Sequence, residues 1–184
     1  MKWFLAFAVL VFFLSVAAAG CSEDDHRPKN PAFVPADAPE DETWNTSILF
    51  TDSTVLKARL KVRHARRYAQ RLETLLDSGV YVEFYGPDGG LNAILVADSA
   101  RVDDRTNDMV AYGNVHVNSE RSKTTVDTDR LQWTNSTRRL HSDAFVKVVD
   151  RMRGRMIQGT GYESDEALRN YKIYNVSGRT IPVE

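Results

Sequence analysis

A short motif recurs three times in the second half of the chain, at an interval of roughly thirty residues. The segment Val96–Val102 (VADSARV) returns as Thr125–Leu131 (TVDTDRL), and a weaker copy spans Ile157–Tyr162 (IQGTGY). Each copy leads through a polar turn into a short run rich in β-branched and aromatic residues, which favour strands. Such a repeat predicts stacked β-units. One unit cannot bury its apolar face alone, so the units must share one core or trough.

Alternation of apolar and polar residues predicts where the strands lie. It is clearest in Val80–Tyr85, where Val80, Val82 and Phe84 share one face. Polar turns are expected at 103–108, 134–139 and 164–168. Further strands are predicted at Ile94–Val102, Met109–Val117, Thr125–Trp133, Leu140–Val149, Met156–Tyr162 and Tyr171–Val176. Short strands at regular spacing predict an all-β fold: a sandwich, a barrel or a jelly roll.

The segment Ala65–Leu76 has an ambiguous pattern. Its apolar residues follow helical spacing and no Gly or Pro interrupts them. It forms either a short helix or a strand and loop whose local propensity is overridden by tertiary pairing.

The first twenty residues are typical of an export signal. Lys2 precedes an apolar stretch, Trp3–Ala19, and the only cysteine, Cys21, follows Ala-Ala-Gly. This resembles the bacterial lipobox, so we expect acylation of Cys21, at about 0.8 kcal/mol per buried CH₂. The alternatives are an ordinary cleaved signal with an incidental cysteine, or an uncleaved anchor helix. A single cysteine excludes an internal disulfide.

A proline-rich acidic segment follows the predicted signal. Residues 22–43 hold Pro28, Pro31, Pro35 and Pro39 and seven acidic residues against only Arg27 and Lys29. Such a composition predicts a disordered, extended tether. The expected organisation is a signal at 1–20, a tether at 21–43 and a folded β domain at 44–184.

The sequence offers no recognisable chemistry. A net charge of −1 without a basic stripe argues against nucleic-acid binding. No phosphate-binding, dinucleotide-binding or nucleophile motif is present, so no cofactor and no enzymatic activity is expected. The arginines form either a solvated face or a contact for phosphate or carboxylate groups; they are Arg63, Arg66, Arg67 and Arg71. The histidines lack metal-ligand spacing and the paired aspartates fit turns; they are His26, His64, His116 and His141, and Asp103, Asp104, Asp127 and Asp129.

An ordered series of segments resembles the LptC family of lipopolysaccharide export proteins. The series comprises Gly113–Val117 (GNVHV), Thr128–Trp133, Leu140–Val148, Gly159–Tyr162 and Tyr171–Gly178 (YKIYNVSG), and the resemblance covers roughly residues 48–178. It implies a β-jelly-roll of two antiparallel sheets with an open hydrophobic groove and no enzymatic step. It also implies that the protein binds lipopolysaccharide by its acyl chains. The implied partners are an inner-membrane ATP-driven ABC transporter and a periplasmic jelly-roll bridge protein.

The N-terminus differs from the family pattern, because many members keep a transmembrane helix where this chain has a lipobox-like cysteine. The family implies the periplasmic face of the inner membrane. Ser22, directly after Cys21, suggests outer-membrane sorting under enteric rules.

Alternation of side chains and strand order give the candidate site residues. The predicted groove residues are Val80, Val82, Phe84, Val115, Val117, Trp133, Val146, Val148 and Ile173, each of which could also face the opposite side. The first and last strands are the predicted edges for partner docking by strand addition, with Ile48, Phe50, Tyr171, Ile173 and Asn175 as their residues. The competing hypothesis is a structural or adaptor lipoprotein with a closed core and no ligand, which a packed interior would favour.

Overall fold

The computed structural model describes residues 38–177 and 181–182, which form eleven β-strands and a 3₁₀ turn at Ala69–Arg71. The strands are β1 (Asp41–Asp52), β2 (Val55–Tyr68), β3 (Glu73–Tyr85), β4 (Leu91–Ala97), β5 (Ser99–Asp103), β6 (Met109–Ser119), β7 (Thr124–Thr134), β8 (Arg139–Asp150), β9 (Arg155–Asp165), β10 (Tyr171–Val176) and β11 (Ile181–Pro182). No helix within these residues is long and apolar enough to cross a membrane.

All the strands pair antiparallel within one hydrogen-bonded sheet. The order is β1-β2-β3-β4-β6-β7-β8-β9-β10, with β5 between β3 and β6 and β11 beside β9. The all-β jelly-roll prediction is confirmed. The two expected layers are halves of one continuous sheet that folds back on itself.

A row of backbone irregularities crosses the middle of the sheet and makes the fold possible. Ladder pairing shifts at the same level in successive strand pairs, and several of these residues have positive φ, among them Ser78, Gly79 and Asn114. Bulges bend strands and make corners between packed layers. The row, here called the corner, comprises Arg63, Ser78–Gly79, Asp98, Gly113–Asn114, Asp129, Asp143–Ala144 and Gly161. It passes through each copy of the sequence repeat.

Side-chain hydrogen bonds take over where the ladder is broken at the corner. The Thr128 hydroxyl donates to the Phe145 carbonyl at 2.8 Å, and the Ser142 hydroxyl donates to the Arg130 carbonyl at 2.7 Å. These bonds satisfy buried backbone acceptors that strand pairing leaves free. The hydroxyl residues of the repeat therefore stabilise the bend.

The two halves of the folded sheet pack their apolar faces against each other. The Trp133 ring, from one half, lies 5.9 Å from Phe50 and 5.3 Å from Phe84 of the other half, centroid to centroid. The turns at the strand ends form two rims opposite the corner. The first rim comprises residues 53–54, 86–90, 120–123 and 151–154, and the second rim comprises residues 69–72, 104–108, 135–138 and 166–170.

The ambiguous segment at 65–76 is not an α-helix. Residues up to Tyr68 belong to β2, a 3₁₀ turn follows, and β3 begins at Glu73. Ala65 pairs with Leu76 across the hairpin, so tertiary pairing overrides the helical spacing. Leu72 makes the turn with a left-handed φ of 51°.

Strand β1 begins at Asp41, inside the segment predicted to be tether and before the predicted first strand at 48–51. Acidic residues that suggested disorder instead pair with β2. The Asp41 carboxylate lies 3.2 Å from Arg67, and the Glu42 carboxylate lies 2.6 Å from His64. The predicted signal, Cys21 and the tether as far as residue 37 lie outside the described residues.

Candidate functional site

The interior between the two halves is apolar from one end of the sheet to the other. It contains side chains from every strand from β1 to β9, and Ile48, Tyr171 and Ile173 pack against it from the edge strands. Eight of the nine predicted groove residues lie in this interior with at most 3% exposure: Val80, Val82, Phe84, Val115, Val117, Trp133, Val146 and Val148. Ile173 is half-buried at its border.

The interior is packed in this conformation. The inward-facing side chains are almost inaccessible to water, and three clefts among the described residues lie on the outer face of the corner or at the rims. The Trp133 indole nitrogen is buried and has no hydrogen-bond partner among the described residues. A buried donor of this kind is unusual and is available to an acceptor that enters the interior.

The two edge strands, β1 and β10, lie at the ends of the strand order. Phe50 is buried, Ile48, Tyr171 and Ile173 are half-buried, and all four turn towards the interior, whereas Asn175 is exposed. A partner that adds a strand would therefore meet the free backbone N–H and C=O groups of β1 or β10 rather than these inward side chains. Gly159 of β9 allows β10 to approach closely, since a Cβ there would lie 2.5 Å from the Asn175 carbonyl oxygen.

A polar cluster that sequence reasoning missed joins the two rims at one point. Glu166, on the second rim, is buried, pairs with Arg138 and accepts a 3.0 Å hydrogen bond from the Asn92 side chain, which lies next to the first rim. Arg138 also donates to the Tyr85 carbonyl. No local pattern marks these residues, because the pairing joins turns far apart in the sequence.

A second polar contact joins the rims near β10. The Tyr171 hydroxyl donates to the Asp150 carboxylate at 3.0 Å, and Arg155 donates to the Tyr171 hydroxyl at 3.2 Å. Asp150 is 1% exposed and also pairs with Arg153 at 2.7 Å. Burial raises the pKa of the Asp150 carboxyl, but the hydrogen bonds from Arg153 and Tyr171 more than offset this effect and lower it.

The edge strand β1 is fixed by a histidine between two carboxylates. Nε2 of His64 lies 2.6 Å from Glu42, Nδ1 lies 2.8 Å from Asp77, and the Trp44 ring stacks on the imidazole at 5.2 Å. The hydrogen bonds with Glu42 and Asp77 raise the pKa of His64. The imidazole therefore becomes a cation more readily than a free histidine and holds β1 to β2 and β3.

Most of the arginine cluster is neutralised within the chain. Arg66 pairs with Asp77, Arg67 with Asp41 and Asp104, and Arg71 with Glu73. This arrangement leaves little charge for an external anion. Within the described residues, no three His, Cys, Asp or Glu side chains are placed to hold a metal ion.

Comparisons with known proteins agree with this architecture. The family model for LptC, lipopolysaccharide-assembly, LptC-related, matches residues 5–180. No curated protein matches the chain. Among solved structures, the chain is similar to LptH, the LptA homologous periplasmic component of the conserved lipopolysaccharide transport device from Pseudomonas aeruginosa. The TM-score is 0.52 at 13% identity, over 69% of this chain and 94% of that chain. The match to LptH shows the fold, and the family model covers nearly the whole sequence. The chain therefore belongs to the LptC-related family of lipopolysaccharide-assembly proteins, periplasmic transport proteins that are not enzymes.

Proposed function

We propose that this protein is a carrier in the periplasmic bridge that exports lipopolysaccharide. It receives the lipid from the inner-membrane ABC transporter and passes it, by its acyl chains, to the next jelly-roll protein. The observation that carries this proposal is the apolar interior shared by both halves of the sheet from β1 to β10. A lipid with several acyl chains would otherwise expose dozens of methylenes to water, at about 0.8 kcal/mol each.

Acyl chains can enter only if the rims separate, because the interior side chains are packed against one another. The corner is a hinge of bulges and glycines, whereas the rims are joined by a few polar contacts, chiefly those of Glu166 and Tyr171. Opening at the rims therefore leaves the strand ladders intact. Inside, the unpaired Trp133 N–H is a donor for an ester or amide oxygen of the lipid.

The two edge strands would join this domain to its neighbours in the bridge. Strand addition at an exposed edge continues both the backbone ladder and the apolar face. We assign the β1 edge (Ile48, Phe50) to the transporter and the β10 edge (Tyr171, Ile173, Asn175) to the next carrier. LptH, which shares the fold, is described as a periplasmic component of a transport device.

The proposed anchor is an acyl group on Cys21 at the periplasmic face of the inner membrane. Two or more acyl chains give stable attachment. The acidic, proline-rich stretch before β1 would hold the domain away from an anionic bilayer.

The alternative function is a structural or adaptor lipoprotein with a closed core and no lipid ligand. The packed interior favours it, since the predicted groove side chains are already buried against one another. In that case only the sheet edges would have a binding role.

Native mass spectrometry separates the two functions. A fragment from Ala38 to Glu184, which includes all of β1, is mixed with lipopolysaccharide and with phospholipid, separately and together. The carrier function predicts a stoichiometric lipopolysaccharide complex that phospholipid does not displace. A folded fragment that binds neither lipid would favour the adaptor.

A further inference from the structure

A strongly basic cleft of about 350 Å³ lies where the two rims meet beside β10. It is lined by side chains from the turn before β9, β9 itself, the turn before β10, the start of β8 and β10. Its charged residues are five cations and one carboxylate: Arg139, Arg153, Arg155, Arg169, Lys172 and Glu163.

Carboxylates of the chain neutralise only part of this charge. Arg153 has a partner in the buried Asp150, and the Nε of Arg155 is buried without a hydrogen bond, 3.8 Å from the same carboxylate. Among the described residues, Arg139, Arg169 and Lys172 form no ion pair. The cleft differs in this respect from the arginine cluster on β2, most of whose charges are paired.

The cleft is continuous with the apolar interior through one residue. The Tyr171 ring packs against the core and lies 6.4 Å from the Tyr162 ring, while its hydroxyl points to Asp150 and Arg155. An amphiphile whose acyl chains lay in the interior and whose polar part emerged between the rims at this point would place that part in the cleft.

We propose that this cleft binds phosphate or carboxylate groups on the sugar headgroup of the lipid whose acyl chains occupy the interior. The inference rests on the proposed carrier function. Guanidinium groups bind such anions through paired, charge-assisted hydrogen bonds, and the cleft presents four of them with one lysine. Free phosphate shares this chemistry but has no part that needs the apolar interior. A docked acidic peptide would leave the contact between cleft and interior unused.

The test measures equilibrium binding to the full chain, held in nanodiscs of zwitterionic phospholipid. The probes are fluorescent lipopolysaccharide with its phosphates intact, the same lipid after enzymatic dephosphorylation, inorganic phosphate as competitor, and polyglutamate. The variant is Arg169→Gln with Lys172→Gln, which removes two cations that have no ion pair. The matched control is Arg105→Gln with Lys147→Gln, which removes one arginine and one lysine that also form no ion pair among the described residues and do not line the cleft.

Intact lipid should bind the variant about tenfold more weakly than it binds the wild type or the control, as expected for two lost charge-assisted contacts. Dephosphorylated lipid should bind all three proteins equally. Inorganic phosphate should compete only at concentrations far above those of the lipid. Three results would overturn the headgroup site while leaving the carrier function standing. They are equal wild-type affinity for the two lipids, an equal loss of affinity for both lipids in the variant, and substitutions that weaken the binding of polyglutamate but not that of lipid. Failure of the wild type to bind either lipid would overturn the carrier function, and the headgroup site with it.

Discussion

Replacement of Trp133 by alanine tests whether the interior is both the core and the lipid site. Trp133 is 1% exposed and bridges the two halves through Phe50 and Phe84. Truncation of a buried tryptophan lowers the free energy of unfolding by about 3–5 kcal/mol. Its indole N–H has no partner among the residues that the structure describes, so the loss is one of packing. At roughly 3 °C per kcal/mol for a domain of this size, Tm should fall by about 10–15 °C.

Saturating lipopolysaccharide should raise the Tm of Trp133→Ala by more than it raises the Tm of the wild type. A ligand at a hundred times its Kd stabilises a protein by about 2.7 kcal/mol, which here is about 8 °C. The closed interior must open for acyl chains to enter. Trp133→Ala removes the proposed indole hydrogen bond to the lipid, worth about 1 kcal/mol, but it also removes the larger packing contribution of Trp133 to the closed state. Binding should therefore tighten, and the Tm shift of the variant should exceed that of the wild type. Differential scanning fluorimetry with and without lipid measures both shifts.

Leu49→Ala is the control for this experiment, because Leu49 lies on β1 but is 56% exposed. Its Tm should change by less than about 2 °C, and its lipid-induced shift should equal that of the wild type. Identical lipid-induced shifts in wild type and Trp133→Ala would place the lipid outside the interior and refute the reasoning.

Four further changes test other parts of the structure. Ile173→Pro removes a backbone donor from the edge strand and should weaken docking of the next jelly-roll protein in a pull-down, with lipid binding retained; equal loss of both would indicate misfolding. The raised pKa of His64 means that its protonation stabilises the fold below about pH 6.5, and this contribution is lost as pH rises through the folded-state pKa. The urea concentration at the unfolding midpoint should therefore fall from pH 6 to pH 8 in the wild type, but much less in His64→Gln. Glu166→Ala leaves Arg138 without its carboxylate and Asn92 without its acceptor, and should lower the free energy of unfolding by about 3 kcal/mol in urea titrations, whereas a change below 1 kcal/mol would mean that Glu166 does not hold the rims. Cys21→Ser should move the protein from the membrane to the soluble fraction on cell fractionation, and unchanged retention would point to an uncleaved helix.

Strand positions and facing could be predicted because they depend on local alternation. Val80, Val82 and Phe84 alternate in the sequence, and all three lie in the interior. The bend was not predicted: Ile94–Val102 was expected to be one strand, whereas the structure divides it at Asp98 into β4 and β5. Side chains alternate between the two faces with a period of two on each side of a bulge. The extra residues at the corner shift this alternation, so that both arms of a strand turn their apolar side chains to the interior.

Features that depend on contacts between distant segments could not be predicted in the same way. The rim contacts of Arg138 and Glu166 join turns that only the folded sheet brings together. The early start of β1 depends on Arg67 and His64, which turn acidic residues typical of disorder into strand partners. The helical spacing at 65–76 failed for the same reason, since hairpin pairing outweighs propensity.

On the proposed carrier function, the packed interior has consequences for the direction of transport. Lipid entry must first break contacts such as those of Trp133 with Phe50 and Phe84. The net affinity is then the gain from acyl burial less the cost of opening. Transfer between two such domains exchanges one open interior for another, and its free energy is near zero. Neither domain becomes a trap, and on the proposed function the direction of flow comes from ATP hydrolysis at the transporter. A mutation that props the rims open should therefore raise lipid affinity and slow hand-off. Glu166→Ala offers this test: tighter binding with slower transfer to the next jelly-roll protein supports the reasoning, and weaker binding contradicts it.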